Sequence, residues 1–210
     1  IARLIKAGMS PGAAAMEANT TGTQNVAVGA LALDANTTGE NNTALGYNSL
    51  GANTTASNNV AIGENAMVAN TTGTANVAVG QAALDANTTA NNNTAVGSSA
   101  LTANTTGHSN TAVGKNAGAA ISTGDENVAV GSDALEAATT ANANTAVGQN
   151  ALLSTTDGEN NTAVGKSALA DNTTGSNSVA IGVSALGAMT TANANVAIGK
   201  GAGAANTTGT

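Results

Sequence analysis

The sequence predicts an all-β protein, a parallel β-solenoid of twelve 17-residue coils. Three observations predict it: an unbroken repeat length, β-branched residues alternating before a fixed glycine, and charge confined to a few columns of the repeat.

The repeat comes first, because missing it would misassign the whole fold. The glycines of the Ala-Val-Gly, Ala-Ile-Gly and Ala-Leu-Gly triplets are Gly29, Gly46, Gly63, Gly80, Gly97, Gly114, Gly131, Gly148, Gly165, Gly182 and Gly199, and every interval is 17. One step back lands on Gly12. Residues 12–210 therefore form one repeat domain, and residues 1–11 form a non-repeat lead-in or cap. The chain starts without Met and stops inside a repeat, which reads as a segment of a longer fibre.

The consensus is Asn-(Val/Thr)-Ala-(Val/Ile)-Gly-x-x-Ala-Leu-x-Ala-Asn-Thr-Thr-Gly-x-x. Seventeen residues are too few for a helix pair. They suit one coil with two short strands. The first strand is Asn-Val-Ala-Val, rich in β-branched residues. The glycine column then permits a turn. A second strand is expected over Ala-Leu-x-Ala-Asn-Thr, and Thr-Thr-Gly closes the coil.

Period two sets the side-chain directions. The aliphatics of both strands are expected to meet inside the coil. The alanines between them are expected to face outward: Ala27, Ala44, Ala61, Ala78, Ala95, Ala112, Ala129, Ala146, Ala163, Ala180 and Ala197. A column held at Ala reads as close packing against another subunit, so the expected partner is the chain itself, most simply in a three-fold bundle. The asparagines before the strand are expected to stack as an amide ladder. They are Asn25, Asn42, Asn59, Asn76, Asn93, Asn110, Asn127, Asn144, Asn161 and Asn195, with Ser178 in the one exceptional repeat. Twelve coils at ~4.8 Å give a rod roughly 55 Å long.

Composition narrows the function. The chain has no Phe, Trp or Cys and a single Tyr, so aromatic burial and disulfides contribute nothing to a core. A net charge of −7 disfavours nucleic acid, which needs a basic stripe, and disfavours an anionic membrane surface. No apolar run approaches a membrane span, and Ile1–Pro11 is too short in apolar residues for a convincing signal peptide. Charges occupy the tolerant columns, with only Asp157 and Asp171 entering constrained ones.

Catalytic, cofactor and metal sites are not expected. His108 is the only histidine and sits beside Gly107, so no Ser-His-Asp set is credible. Asp34, Asp85 and Glu136 share a column but lie three repeats apart, too far for an acid–base pair. Asp125-Glu126 and Asp157-Gly158-Glu159 lack the spacing of a calcium loop. The Gly-x-x-Ala-Leu segments are not phosphate loops. The Asn-Thr-Thr triplets match a glycosylation acceptor, but one per coil reads as ladder and turn chemistry. Tyr47 is read as an ordinary surface aromatic.

The Asn-Val-Ala-Val-Gly motif and Asn177–Gly182 resemble the head repeats of trimeric autotransporter adhesins. The full 17-residue unit resembles more closely the repeats of tail-fibre-like proteins of tailed bacteriophages and related bacterial surface proteins. The resemblance covers residues 12–210 and is structural, so no functional residue carries over. It implies a left-handed, homotrimeric β-roll in an extracellular setting, on a virion fibre or a cell surface, contacting a host receptor. Three functions are therefore expected in order: a structural fibre or filament segment, an adhesin head, and an ice-binding solenoid.

Overall fold

A computed structural model describes residues 12–209, so the lead-in at 1–11 lies outside the described residues. The fold is an all-β parallel β-solenoid, with no helix among the described residues. Each complete 17-residue repeat from Gly12 onward ends in one three-residue strand, giving eleven. The chain divides into two compact units, Ile1–Thr106 and Gly107–Thr210.

The first unit holds β1 (Val26–Val28), β2 (Thr43–Leu45), β3 (Val60–Ile62), β4 (Val77–Val79) and β5 (Thr94–Val96). Each pairs in parallel with the next, and every residue lies beside the one 17 positions on, as Ala27 beside Ala44 and Ala61 beside Ala78. The second unit holds β6 (Thr111–Val113), β7 (Val128–Val130), β8 (Thr145–Val147), β9 (Thr162–Val164), β10 (Val179–Ile181) and β11 (Val196–Ile198). Its pairing is the same, with the same register of 17.

The strand faces are opposite to the sequence expectation. Ala27, Ala44, Ala61, Ala78, Ala95, Ala112, Ala129, Ala146, Ala163 and Ala180 are buried inside the coil, and Ala197 is half-buried in the last strand. The flanking aliphatics face out, with Val26 41% and Leu45 43% exposed. Asparagine sets this phase. Asn25 and Ala27 share a face by period two, and Asn25 is fully buried because its amide is bonded across the coil. Burying the asparagine therefore carries the alanine in and turns the valines out. The interior is narrow, and Ala27, Ala32, Leu33, Asn25 and Asn36 fill it without room for a further valine. The alanine column is thus packed within its own coil, and the argument for a three-fold bundle that rested on its exposure is removed.

The second expected strand does not form among the described residues. The segment after the glycine is a run of turns in which every second residue is left-handed: Leu31 at φ 59° and Leu33 at φ 54°, then Asn48 at 55° and Leu50 at 52°. Alternation of backbone sense lets two adjacent side chains, such as Ala32 and Leu33, both point inward, which a strand forbids. Hydrogen bonding between coils nevertheless continues through the turns. Asn48 N donates to Ala30 O at 2.9 Å on one side, and Leu50 N to Ala66 O at 3.0 Å on the other.

This geometry sorts the apolar residues. β-Branched side chains are strongly disfavoured in the left-handed region. Val and Ile accordingly hold the strand column, while the turn column holds Leu, Met16, Met67, Gly118 and Gly203. In the coil where Gly118 replaces leucine, Ile121 replaces asparagine three residues on and is buried, so the lost volume is restored from a neighbouring position.

The glycine column is held by close approach. Gly63 has φ 133°, and a Cβ there would lie 2.5 Å from the carbonyl oxygen of Gly80. Gly63→Ala is expected to destabilise the chain by about 2 kcal/mol or more, through backbone strain and that clash, read as a lower chemical-denaturation midpoint. Leu84, at φ 52° and fully buried, gives a second test. Leu84→Ile should cost about 1–2 kcal/mol despite equal volume, whereas Leu84→Met, the residue that stands at position 67, should cost less; equal losses would contradict the backbone explanation.

Candidate functional site

The residues with chemistry lie in columns that run from coil to coil. The asparagines before the strand form the first. Asn25 Nδ2 donates to Gly39 O at 2.7 Å, and Asn25 Oδ1 accepts from Asn42 N at 2.9 Å. The pattern recurs at Asn42, Asn59 and Asn76 in the first unit. In the second unit it recurs at Asn110, Asn127, Asn144 and Asn161. Asn93 lies in the same buried column, with Asn93 N donating to Asn76 Oδ1 at 2.9 Å. Ser178 keeps the chain of acceptors, since Asn195 N donates to its Oγ at 3.2 Å. The side-chain amides thus bond chiefly to backbone, and only secondarily to each other.

A second amide column comes from Asn-Thr-Thr. Asn36 Nδ2 donates to Asn19 Oδ1 at 2.8 Å and to Gly39 O at 3.1 Å, the carbonyl that also receives Asn25. Asn53, Asn70 and Asn87 continue it. In the second unit Ile121, Ala138, Thr155 and Met189 occupy this column. Among the described residues two oxygens of this column, Asn87 Oδ1 and Asn172 Oδ1, accept no hydrogen bond, and the coil after Asn172 presents Met189 instead of an amide.

The paired threonines divide their work. Thr37 Oγ1 donates to Thr54 O at 3.0 Å, and Thr20, Thr71, Thr88, Thr139, Thr156, Thr173 and Thr190 do the same toward the next coil. The second threonine, such as Thr38, is exposed.

The tolerant column after the closing Gly or Ala is also bonded. His108 N donates to Asp125 Oδ1 at 2.6 Å, Asp125 N to Asn142 Oδ1 at 2.8 Å, and Asn142 Nδ2 to Glu159 Oε1 at 2.8 Å. Asp157 accepts from Thr140 Oγ1 at 2.8 Å. These carboxylates act as acceptors for an adjoining coil. Among the described residues no three His, Cys, Asp or Glu side chains gather as a metal site. No described helix is long and apolar enough to cross a membrane.

Asp34 and Asp85 lie three repeats apart in the first unit, and Glu136 belongs to the second. Burial pushes the Asp85 carboxyl above the usual range, and the hydrogen bond from Thr102 Oγ1 at 3.4 Å pulls it partly back. Tyr47 is 51% exposed.

The residues that sequence reasoning assigned the wrong direction form the most distinctive surface. Outside each strand stand two columns, Val or Thr and then Val, Ile or Leu, and neither contains a charge. The buried asparagine one residue before the strand is the signal that could have placed them there, since it fixes which face is inside. Comparison with family models, curated proteins and solved structures gives no match.

Asn70 makes three side-chain bonds, to Asn53, Gly73 and Asn87. Each orphaned buried partner costs ~1–3 kcal/mol, so Asn70→Ala should lower stability by about 3 kcal/mol or more in urea titration. Asp85 sets a pH dependence. Its folded pKa exceeds its unfolded value, so its contribution to stability grows as pH falls and is lost as pH rises through the folded pKa. Asp85→Asn should therefore be more stable than the parent at neutral pH, and the gap should close in acid; parallel melting curves across that range would show the attribution to be wrong.

Proposed function

We propose that this chain is a segment of a structural fibre or filament, carried by a virion or a cell-surface appendage, that supplies length and stiffness and presents a surface for attachment to a host. One observation carries the reading. In coil after coil the polar side chains that could serve chemistry are instead bonded to the adjoining coil, as Asn25 to Asn42 and Thr37 to Thr54. Each coil then contributes its own bonds and one more interface, and stability accumulates along the array. That suits a load-carrying spacer better than an active site.

Ice binding finds less support, because in pair after pair the first threonine gives its hydroxyl to a neighbouring carbonyl, as Thr37 and Thr71 do at 3.0 and 3.1 Å. An adhesin head fits the same observations as a fibre. The reading can be tested by antibody labelling of intact particles and cells of the source, viewed by electron microscopy. Label along an external filament is the expected result. Label found only inside lysed cells would overturn it.

A further inference from the structure

We infer that the fold sorts the chain's Asn-x-Thr acceptors for asparagine-linked sugar into two sets. Six buried asparagines can be modified only while the chain is unfolded, and modification there blocks folding. Asn41, Asn92 and Asn160 accept the sugar on the folded chain. The coils must therefore close before an oligosaccharyltransferase reaches them.

The chemistry sets the requirement. The transfer joins the side-chain amide nitrogen to the anomeric carbon of an oligosaccharide. The donor is a lipid-linked oligosaccharyl diphosphate. Its sugar–phosphate bond breaks, the lipid diphosphate leaves, and the nitrogen gives up one hydrogen as a proton. An acceptor thus needs a replaceable amide hydrogen and room for a bulky group beside it.

The first set fails on both counts once folded. Asn36, Asn53, Asn70, Asn87, Asn104 and Asn172 each open an Asn-Thr-Thr acceptor, and each is fully buried. Asn36 Nδ2 donates to Asn19 Oδ1 at 2.8 Å and to Gly39 O at 3.1 Å. Asn53, Asn70 and Asn87 repeat both bonds. Asn172 donates to Thr155 Oγ1 at 3.3 Å and to Gly175 O at 2.9 Å. In these five neither amide hydrogen is left to replace. A sugar on that nitrogen would remove a bond and force a bulky polar group into a coil filled by Leu and Ala. The threonine hydroxyl that completes the acceptor lies in solvent, as at Thr38, while the amide lies inside.

The second set arises where asparagine at the left-handed corner before a strand meets threonine at the strand's first residue. These acceptors are Asn41-Asn42-Thr43, Asn92-Asn93-Thr94 and Asn160-Asn161-Thr162. The three corner asparagines have φ of 57°, 61° and 57° and are exposed. Among the described residues their side-chain amides make no hydrogen bond. Thr43, Thr94 and Thr162 stand on the outward face of β2, β5 and β9. Amide and hydroxyl are therefore both on the surface. Asn58 and Asn177 occupy the same corner and are exposed, but Val60 and Val179 stand two residues on, so neither is an acceptor. Asn19 and Asn206 are half-buried, each with its nitrogen bonded to one carbonyl, Gly22 O and Gly209 O, and belong to neither set.

Two arms test this on the full chain. In the first, the purified folded chain is incubated with an oligosaccharyltransferase and its lipid-linked donor, and modified residues are mapped by mass spectrometry. Sugar is expected at Asn41, Asn92 and Asn160 and at none of the six. Thr43→Val should abolish the sugar at Asn41, and Val60→Thr should create an acceptor at Asn58. Each change installs a residue that the same column already carries in another coil, so the fold is kept. In the second arm, the chain is translated behind a cleavable signal peptide into microsomes that carry the enzyme. Sugar is expected on the six, with loss of resistance to proteinase K. Changing the six exposed threonines two residues on to alanine, as in Thr38→Ala, should restore resistance without touching a buried amide. Sugar at any of the six in the folded chain overturns the inference, as does a chain that carries sugar there and stays protease-resistant. A folded chain bare at Asn41, Asn92 and Asn160 overturns their assignment as acceptors. A translated chain bare at the six overturns the claim that folding is what protects them. The location of the protein, which decides the fibre reading, does not enter these outcomes.

Discussion

A buried asparagine amide, bonded across its own coil and to the backbone of the next, is the constraint on which the remaining structure depends. Asn25 holds Gly39 O with its nitrogen and Asn42 N with its oxygen. Leaving either group unpaired in the buried interior would cost ~1–3 kcal/mol. Once the amide is inside, period two dictates the rest of the strand: alanine in, Val or Thr out before it, and Val, Ile or Leu out after it. The coil can then close only around small residues, and leucine from the turn becomes its one large apolar filling, as Leu33 and Leu50 show.

The turn is the second half of that solution. A strand would put alternate residues inside and leave the leucine or its neighbouring alanine in solvent. Alternating left-handed residues bury both and still deliver every other N–H to the coils on either side, as Asn48 and Leu50 do. The cost is a restriction on residue type. Leu and Met tolerate the left-handed backbone better than Val or Ile, and this explains why Val and Ile stay out of the turn column while leucine can stand in the strand column at Leu45. Where leucine is missing at Gly118, Ile121 fills the space from the asparagine column, whose amide chain is broken in that unit.

Much of this architecture was legible in the sequence. The period, the parallel all-β class and the coil of 17 residues follow from glycine spacing and β-branched alternation. Two features were not legible from those signals. The sense of the strand faces was misread because hydrophobicity alone places Val inside and Ala anywhere, and only the requirement to satisfy Asn25 decides between the two. The second strand was misread because Ala-Leu-x-Ala carries no glycine to announce its left-handed positions; the absence of Val and Ile from the leucine column was the only available sign. The surface columns were likewise visible as tolerant positions, but tolerance does not show that Asp125 and Asn142 cap backbone N–H groups of a neighbouring coil.

The identical register of every paired strand has a consequence for how such a gene can change. Within each unit, each paired strand residue lies beside its counterpart 17 positions on. Loss or gain of a single codon would put every later column beside the wrong neighbour. Loss or gain of a whole repeat would rejoin like to like, with each amide, threonine and glycine finding an equivalent partner. Length in such a chain is therefore a quantised trait, free to drift in steps of one coil by recombination between near-identical segments, while the cross-section stays fixed.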